Sequence, residues 1–321
     1  MQEAVFIRQN LKKWQAMEVM VGDTVFTTPD DLVEAYNELT SDLAFAQTQY
    51  PSSPVTAYLN DLALSLHRDL YRHKHTPWSR IVRFWTHDIP LSVYDARYCL
   101  LLSLAVFVVF TIIGMLSTLG DPDFPRAILG DDYVDMTLRN IEEGQPMAVY
   151  AQGGQITSFL SITVNNIMVS FITYVMGIFT SFGTGYYLMN NGIMLGSFVM
   201  FFIVRGLFVE SMLAVMLHGT LELSAIVIAG GAGIMLGNGW LFPGTYGRVQ
   251  SFLRAAQRSV RVLISTIPIF IIAGFTEGFF TRYTDVGDVL RLLFICASAL
   301  FVIFYYVLLP IKRHRETAAG Q

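Results

Sequence analysis

His218 and Glu222 lie four residues apart inside the apolar stretch 216–237, which is long enough to cross a bilayer as one helix. An ionisable side chain at the centre of a membrane helix costs ~3 kcal/mol or more, so such groups face protein or water rather than lipid. A spacing of four puts the two on one helix face. At ~100° per residue, Ala225, Ala229, Gly233 and Gly237 fall on that face or beside it. Small residues at every fourth position let a second helix approach closely in lipid. One stripe therefore joins a polar pair to a close-packing ridge.

Three further polar residues sit in apolar stretches: Asn165 and Asn166 together, and Glu277 near the end of another. One His and two Glu are a ligand set for zinc, and a carboxylate–His relay can carry protons. A purely structural hydrogen-bond network uses the same residues, at about 1 kcal/mol per bond in a membrane. The residues alone leave all three readings open. The metalloprotease pattern HExxH is absent, because Gly219 follows His218. There is no Walker sequence either. No catalytic residue is assigned and no cofactor is expected, zinc being the one metal that the His/Glu set would suit.

The elements that must position these residues are membrane helices. Of 321 residues, 53% are hydrophobic and only 14% charged, the composition of a multi-pass membrane protein. The net charge of −4 gives no reason to expect nucleic acid. Residues 1–20 lack an apolar core, so no cleavable signal peptide is expected. The two cysteines, Cys99 and Cys296, fall at different depths and cannot pair.

The expected fold is all-α: a six-span transmembrane bundle with an N-terminal cytoplasmic helical region. Residues 1–97 form that region and end in an interfacial amphipathic helix. Residues 98–311 form the membrane domain, with an acidic external loop at 120–155, and 312–321 a cytoplasmic tail. In the N-terminal region, Thr28-Pro29-Asp30-Asp31 reads as a helix start and Pro51–Pro54 as a break. Trp78, Arg80, Arg83 and Trp85 interleave aromatics with arginines, as in a helix lying among lipid headgroups. Arg254 and Arg258 are placed at the same interface. Spans are expected near Tyr98–Leu119, Ile156–Phe182, Tyr186–Val204, Ser211–Leu236, Val262–Phe280 and Val289–Leu309, with a tight turn at Gly183–Gly185.

Lys and Arg flank the spans on one side, at 80–97, 248–261 and 312–315, which places both termini in the cytoplasm. On that topology the His218/Glu222 pair, Glu277 and the Asn pair share the outer half of the membrane. At ~1.5 Å per residue, Glu222 is expected about 10 Å deeper than Glu277. The spacing of Gly192 and Gly196, with the ridge from Ala225 to Gly237, supplies two close-packing faces, on which self-association as a dimer is expected.

Several short stretches together resemble one family. They are Phe6–Trp14 (FIRQNLKKW), Ser41–Tyr50 with Ser53-Pro54, Asn165-Asn166-Ile167, Tyr187–Gly192 (YLMNNG), His218-Gly219-x-x-Glu222-Leu223-x-Ala225-Ile226, Ala229-Gly230-x-x-Gly233, Pro243-Gly244, and Ala273-Gly274-x-x-Glu277. The chain resembles the stage II sporulation protein M family over nearly its full length. That resemblance implies an integral protein of the bacterial inner membrane with no established enzymatic activity. The family's namesake recruits peptidoglycan hydrolases during engulfment, and many relatives resemble membrane components of multi-gene systems containing a MoxR-type ATPase. The expected role is a non-enzymatic scaffold of an envelope-associated complex, with the bilayer and other membrane or envelope proteins as partners. A transporter or channel lined by the His/Glu/Asn cluster is the second reading, and a metal-dependent membrane enzyme the third.

Overall fold

Prolines mark where most of the shorter helices begin. A Pro in the first turn lacks only an N–H that would go unpaired there, and its fixed φ suits a helix. The computed structural model describes residues 3–21, 29–71, 77–148, 155–280 and 287–319. Helices α1 (Glu3–Met20), α2 (Pro29–Gln49) and α3 (Pro54–Tyr71) are followed by α4 (Pro77–Arg83) and α5 (Ile89–Asp95). Residues 84–88, between α4 and α5, form a π-helical turn. Thr28 and the basic run 72–75 lie outside the described residues.

The chain divides into two compact units, 1–80 and 81–321. The first has its own closed core, in which Trp14, Leu39, Leu59 and Leu66 are almost fully buried. The Trp14 indole donates to the Asp42 carboxylate (2.9 Å), which also pairs with Lys13 at 2.6 Å. Ser53 donates to the Glu3 carboxylate. The stretches 6–14 and 41–54 are thus the parts of this unit that hold one another.

The second unit is the membrane bundle. Its helices are α6 (Arg97–Gly120), α7 (Phe124–Leu129), α8 (Asp131–Glu142), α9 (Gln155–Val175), α10 (Ser181–Ile203), α11 (Phe208–Leu241), α12 (Arg248–Phe275), α13 (Asp288–Ile303) and α14 (Leu309–Ala319). A π turn at 304–308 joins α13 and α14 into one span. Among the described residues, six helices are long and apolar enough to cross a membrane. The described residues contain no strand. The chain is an all-α membrane bundle, as its composition requires.

Helix α11 occupies the centre. It packs on α6, α9, α10, α12 and α13. In its most apolar window 56% of residues are buried, against 17% for α6 and 11% for the last span, which present their leucines and phenylalanines outward. Burial without a hydrophobic driving force between lipid-bathed helices demands close backbone approach, and glycines supply it. A Cβ on Gly177 would lie 2.2 Å from the Gly233 carbonyl oxygen, and one on Gly196 would lie 2.0 Å from that of Thr111. Hydroxyls bridge the same seams: Ser103 donates to the Val227 carbonyl (2.7 Å), Thr118 to Ser197 (3.0 Å) and Ser181 to Asn238 (2.8 Å).

The connections alternate between two faces. One carries 121–148 and the 204–207 turn. Gly130, at φ +90°, separates α7 from α8 there. Arg126 bonds Asp131 (3.2 Å) and Asp135 (2.7 Å), and both acids hold its guanidinium protonated beyond the usual range. The other face carries 81–96, 242–247 and α14, and it is knit by polar contacts. Tyr305 donates to the Trp85 carbonyl (2.8 Å), Arg313 to that of Thr86 (2.9 Å), Arg258 pairs with Asp95 (3.2 Å), and Tyr94 stacks on His314.

Three details differ from the expectations drawn from the sequence. Gly183–Gly185 lie inside α10 and the turn falls at residues 179–180, where the chain doubles back so closely that a Cβ on Gly183 would lie 2.5 Å from the Met176 carbonyl oxygen. Residues 81–95 belong to the membrane unit, so the segment placed at the end of the 1–97 region packs on the bundle instead. Trp78 and Arg80 are exposed and Arg83 is exposed beside Asp88 (3.8 Å), but Trp85 is half-buried against the bundle core. Among the interfacial arginines, Arg254 lies over the Tyr246 ring at 3.9 Å.

Candidate functional site

Three elements bring the polar residues of the spans together. Helix α9 supplies Asn165 and Asn166, α11 supplies His218 and Glu222, and a π-helical turn at 276–280, continuing α12, supplies Glu277. Each exists locally for a plain reason. The interval of four in α11 stacks His218 over Glu222. A π turn contains one residue more than an α turn and so rotates the side chains beyond it, and here it falls on the residue pair Thr276-Glu277. Thr276 is buried and its hydroxyl donates to the Ile272 carbonyl (2.9 Å), inside the same helix.

The approach of α9 to α12 is set by two glycines. A Cβ on Gly274 would lie 2.1 Å from the Thr163 hydroxyl, and one on Gly278 would lie 3.0 Å from the Phe159 Cβ. Gly274 and Gly278 are four apart, the small-residue spacing that permits helix contact. They flank Glu277 and bring it within reach of Asn166 and α11.

In the assembled site, one ligand atom from each of His218, Glu222 and Glu277 lies within 4.8 Å of the other two. His218 Nε2 is 3.7 Å from Glu277 Oε2. Asn166 Nδ2 donates to Glu222 Oε1 at 2.5 Å. His218 is 5% exposed. The site lines a cavity of ≈ 310 Å³ together with Ser161, Ile162 and Asn165. No Lys or Arg is among the described lining residues. Ser161 and Asn165, on α9, are themselves exposed.

The five residues singled out from the sequence therefore share one site. The expected 10 Å offset between Glu222 and Glu277 does not occur. Counting residues along straight helices ignores the reach of two Glu side chains, which bring their carboxylates within 4.8 Å. Asn165 lines the cavity, while its neighbour Asn166 makes the hydrogen bond. Ser161 escaped the sequence reading, although it stands four residues before Asn165 on the same face. The Gly274/Gly278 pair was equally legible as a spacing, but nothing in the sequence marks residues 276–280 as a π turn.

The small-residue ridges lie elsewhere. Ala225 and Ala229 are fully buried. A Cβ on Gly233 would meet the Thr184 hydroxyl at 2.5 Å, and one on Gly237 the Ser181 nitrogen at 2.6 Å. Gly192 and Gly196 face α6, where Cβ atoms would lie 2.8 and 2.0 Å from the carbonyl oxygens of Phe107 and Thr111. Both ridges are filled by helices of the same chain, and the expectation of a dimer loses the argument that raised it.

This fold and this site define a polytopic α-helical membrane protein that holds a buried His/Glu/Glu cluster at the junction of three helices. The family model for Stage II sporulation protein M matches residues 103–282, more than half of the chain, and the chain belongs to that family. All five cluster residues fall inside the matched region. A second model, described as Domain of unknown function (DUF8413), matches residues 4–72. The stretches at 6–14 and 41–54, read as part of a resemblance over nearly the full length, fall within this second match and outside the first. Among curated proteins, the chain is similar to the uncharacterized protein MJ0706 of Methanocaldococcus jannaschii, 28% identical over 126 residues, or 38% of this chain and 55% of that protein. The chain spans about half the length of that relative. No solved structure matches it.

Proposed function

We propose that this protein is a membrane-embedded assembly component of an envelope-associated complex, with its 1–80 unit serving as the docking module. The observation that carries this reading is the division of the chain: a helical unit with its own closed core precedes a separate membrane bundle. The described lining residues of the His/Glu/Glu site all belong to the bundle. A part that is neither membrane anchor nor site is best explained by a partner. The cavity's lining residues reach no farther along α11 than Glu222, and beyond it Ala225, Ala229 and Gly233 are buried in a tight seam. A packed seam suits a scaffold better than a transport path.

Co-isolation from native membrane tests the reading. The full chain is expected to retain specific membrane or envelope proteins, and a chain lacking residues 1–80 is expected to lose them while still inserting. Identical co-isolated sets from both chains would contradict it.

For orientation, the basic residues of 248–261 and 312–315 on one face, against the acidic 121–148 segment on the other, support cytoplasmic termini in an inner membrane. Single cysteines at Asp132 and Gln257, both exposed, are expected to label from opposite sides of sealed cells. Labelling of both from one side would refute this topology.

A further inference from the structure

The chemistry of the His/Glu/Glu cluster goes beyond the scaffold reading and does not depend on it. Two carboxylates whose oxygens lie within 4.8 Å of each other and of an imidazole repel when both are ionised. The described residues lining the cavity offer no Lys or Arg to offset this. A divalent cation would cancel both charges at once and leave a neutral site inside the bundle, and a neutral imidazole is the form of histidine that binds metal.

We propose that His218 Nε2 and one carboxylate oxygen each from Glu222 and Glu277 form a three-ligand site for a divalent transition-metal ion of the zinc class. The geometry is close to what such an ion needs. Ligand atoms about 2.0–2.1 Å from a tetrahedral zinc stand about 3.3 Å from one another. The His218–Glu277 separation is 3.7 Å and no separation in the trio exceeds 4.8 Å, within about 1.5 Å of that spacing. Metal-binding carboxylates are held in turn by outer hydrogen bonds. Asn166 fills that position, occupying Glu222 Oε1 and leaving Oε2 for the metal. Asn166 is therefore a positioning residue, not a ligand.

Three protein ligands leave a fourth position, and open positions distinguish reactive or ligand-exchanging sites from closed structural ones. Here it faces the cavity beside Ser161 and Asn165. The fourth ligand is water or an oxygen donor that reaches the cavity past Ser161 and Asn165, both exposed.

The test uses the full chain, purified in detergent without a polyhistidine tag, stripped with chelator and dialysed against zinc. Elemental analysis is expected to find about one zinc per chain, and zinc is expected to raise the melting temperature. Cobalt(II) in its place is expected to give the visible absorption of a four-coordinate N/O site. Glu277→Gln, which keeps shape and hydrogen bonding, is expected to lose the metal, and Asn166→Leu to weaken it by about 10–100-fold. Glu277→His replaces one ligand type with another and is expected to restore zinc.

A wild-type chain that retains no zinc, manganese or iron(II) and whose melting is indifferent to all three overturns the proposal. Full zinc retention by Glu277→Gln does the same, since the metal would then lie elsewhere. If Glu277→Gln fails to fold, the wild-type cobalt spectrum decides, and a six-coordinate aquo-like spectrum overturns the site.

Discussion

Gly196→Leu is expected to leave almost no folded protein. At Gly196 even a single added carbon would lie 2.0 Å from the Thr111 carbonyl oxygen, 2.8 Å from the Met115 nitrogen and 2.9 Å from the Thr111 carbonyl carbon. All three are backbone atoms of α6, and none can rotate away. Inserted methylenes in packed cores that can relax through side chains cost about 1–3 kcal/mol. Moving two whole helices apart costs more. The seam also offers no local escape: a Cβ on Gly192 meets the Phe107 carbonyl oxygen at 2.8 Å, and on the facing helix Gly114 meets that of Ile193 at 2.4 Å. Each face needs the other's glycine. A loss above about 3 kcal/mol lowers the folded-to-unfolded ratio more than a hundred-fold and consumes much of an ordinary stability. Fluorescence-detected size exclusion of the solubilised protein reads this as loss of the monodisperse peak. Gly185→Ala, where nothing lies within 4 Å of the added carbon, is the control and is expected to run as wild type. A wild-type peak from Gly196→Leu would mean that α6 and α10 are not in backbone contact.

The glycines show how far the sequence could be read. Their spacing announced close helix contacts, but a spacing has no address. Gly192 and Gly196 suit a partner chain and a neighbouring helix equally well, and only the fold shows α6 occupying that groove. The ridge from Ala225 to Gly237 is filled in the same way by α9 and α10. The number of spans and the all-α class were legible because apolar runs of about 20 residues have few other uses. The three helices of the 1–80 unit were legible from proline breaks and apolar periodicity. The boundary at residue 80 was not, because Trp85 and its neighbours carry the residue types of a headgroup-facing helix whether or not α14 covers them.

The site was legible in its membership and not in its geometry. His218, Glu222, Glu277 and the Asn pair stand out because charge and amide groups in hydrocarbon are costly. That cost says they must be sheltered, and a shared half of the membrane suggests that they shelter together. The separation of Glu222 from Glu277 was not legible, because residue counting leaves out how far the side chains reach. The π turn at 276–280 has no sequence signature of its own, and the cavity depends on how α9 meets α11 and the 276–280 turn, which no single segment encodes.

Convergence of Asn166, Glu222 and Glu277 requires α9 to lie directly against the end of α12. Disulfide formation between Thr163→Cys and Gly274→Cys tests this most directly. A Cβ at Gly274 lies 3.2 Å from that of Thr163, slightly inside the separation of about 3.5–4.5 Å that a disulfide spans. Each position is one helical turn before a site residue, Asn166 and Glu277. Replacing Thr163 removes the hydroxyl that would obstruct the new side chain, and that hydroxyl has no hydrogen-bond partner to lose among the described residues. With Cys99 and Cys296 changed to alanine, and a protease site placed in the 242–247 connection, oxidation should join the two fragments in most molecules. Reduction should separate them, and neither single cysteine variant should join them. Fragments that separate equally well before and after oxidation, in a double variant that remains folded, would contradict this packing and the site built on it.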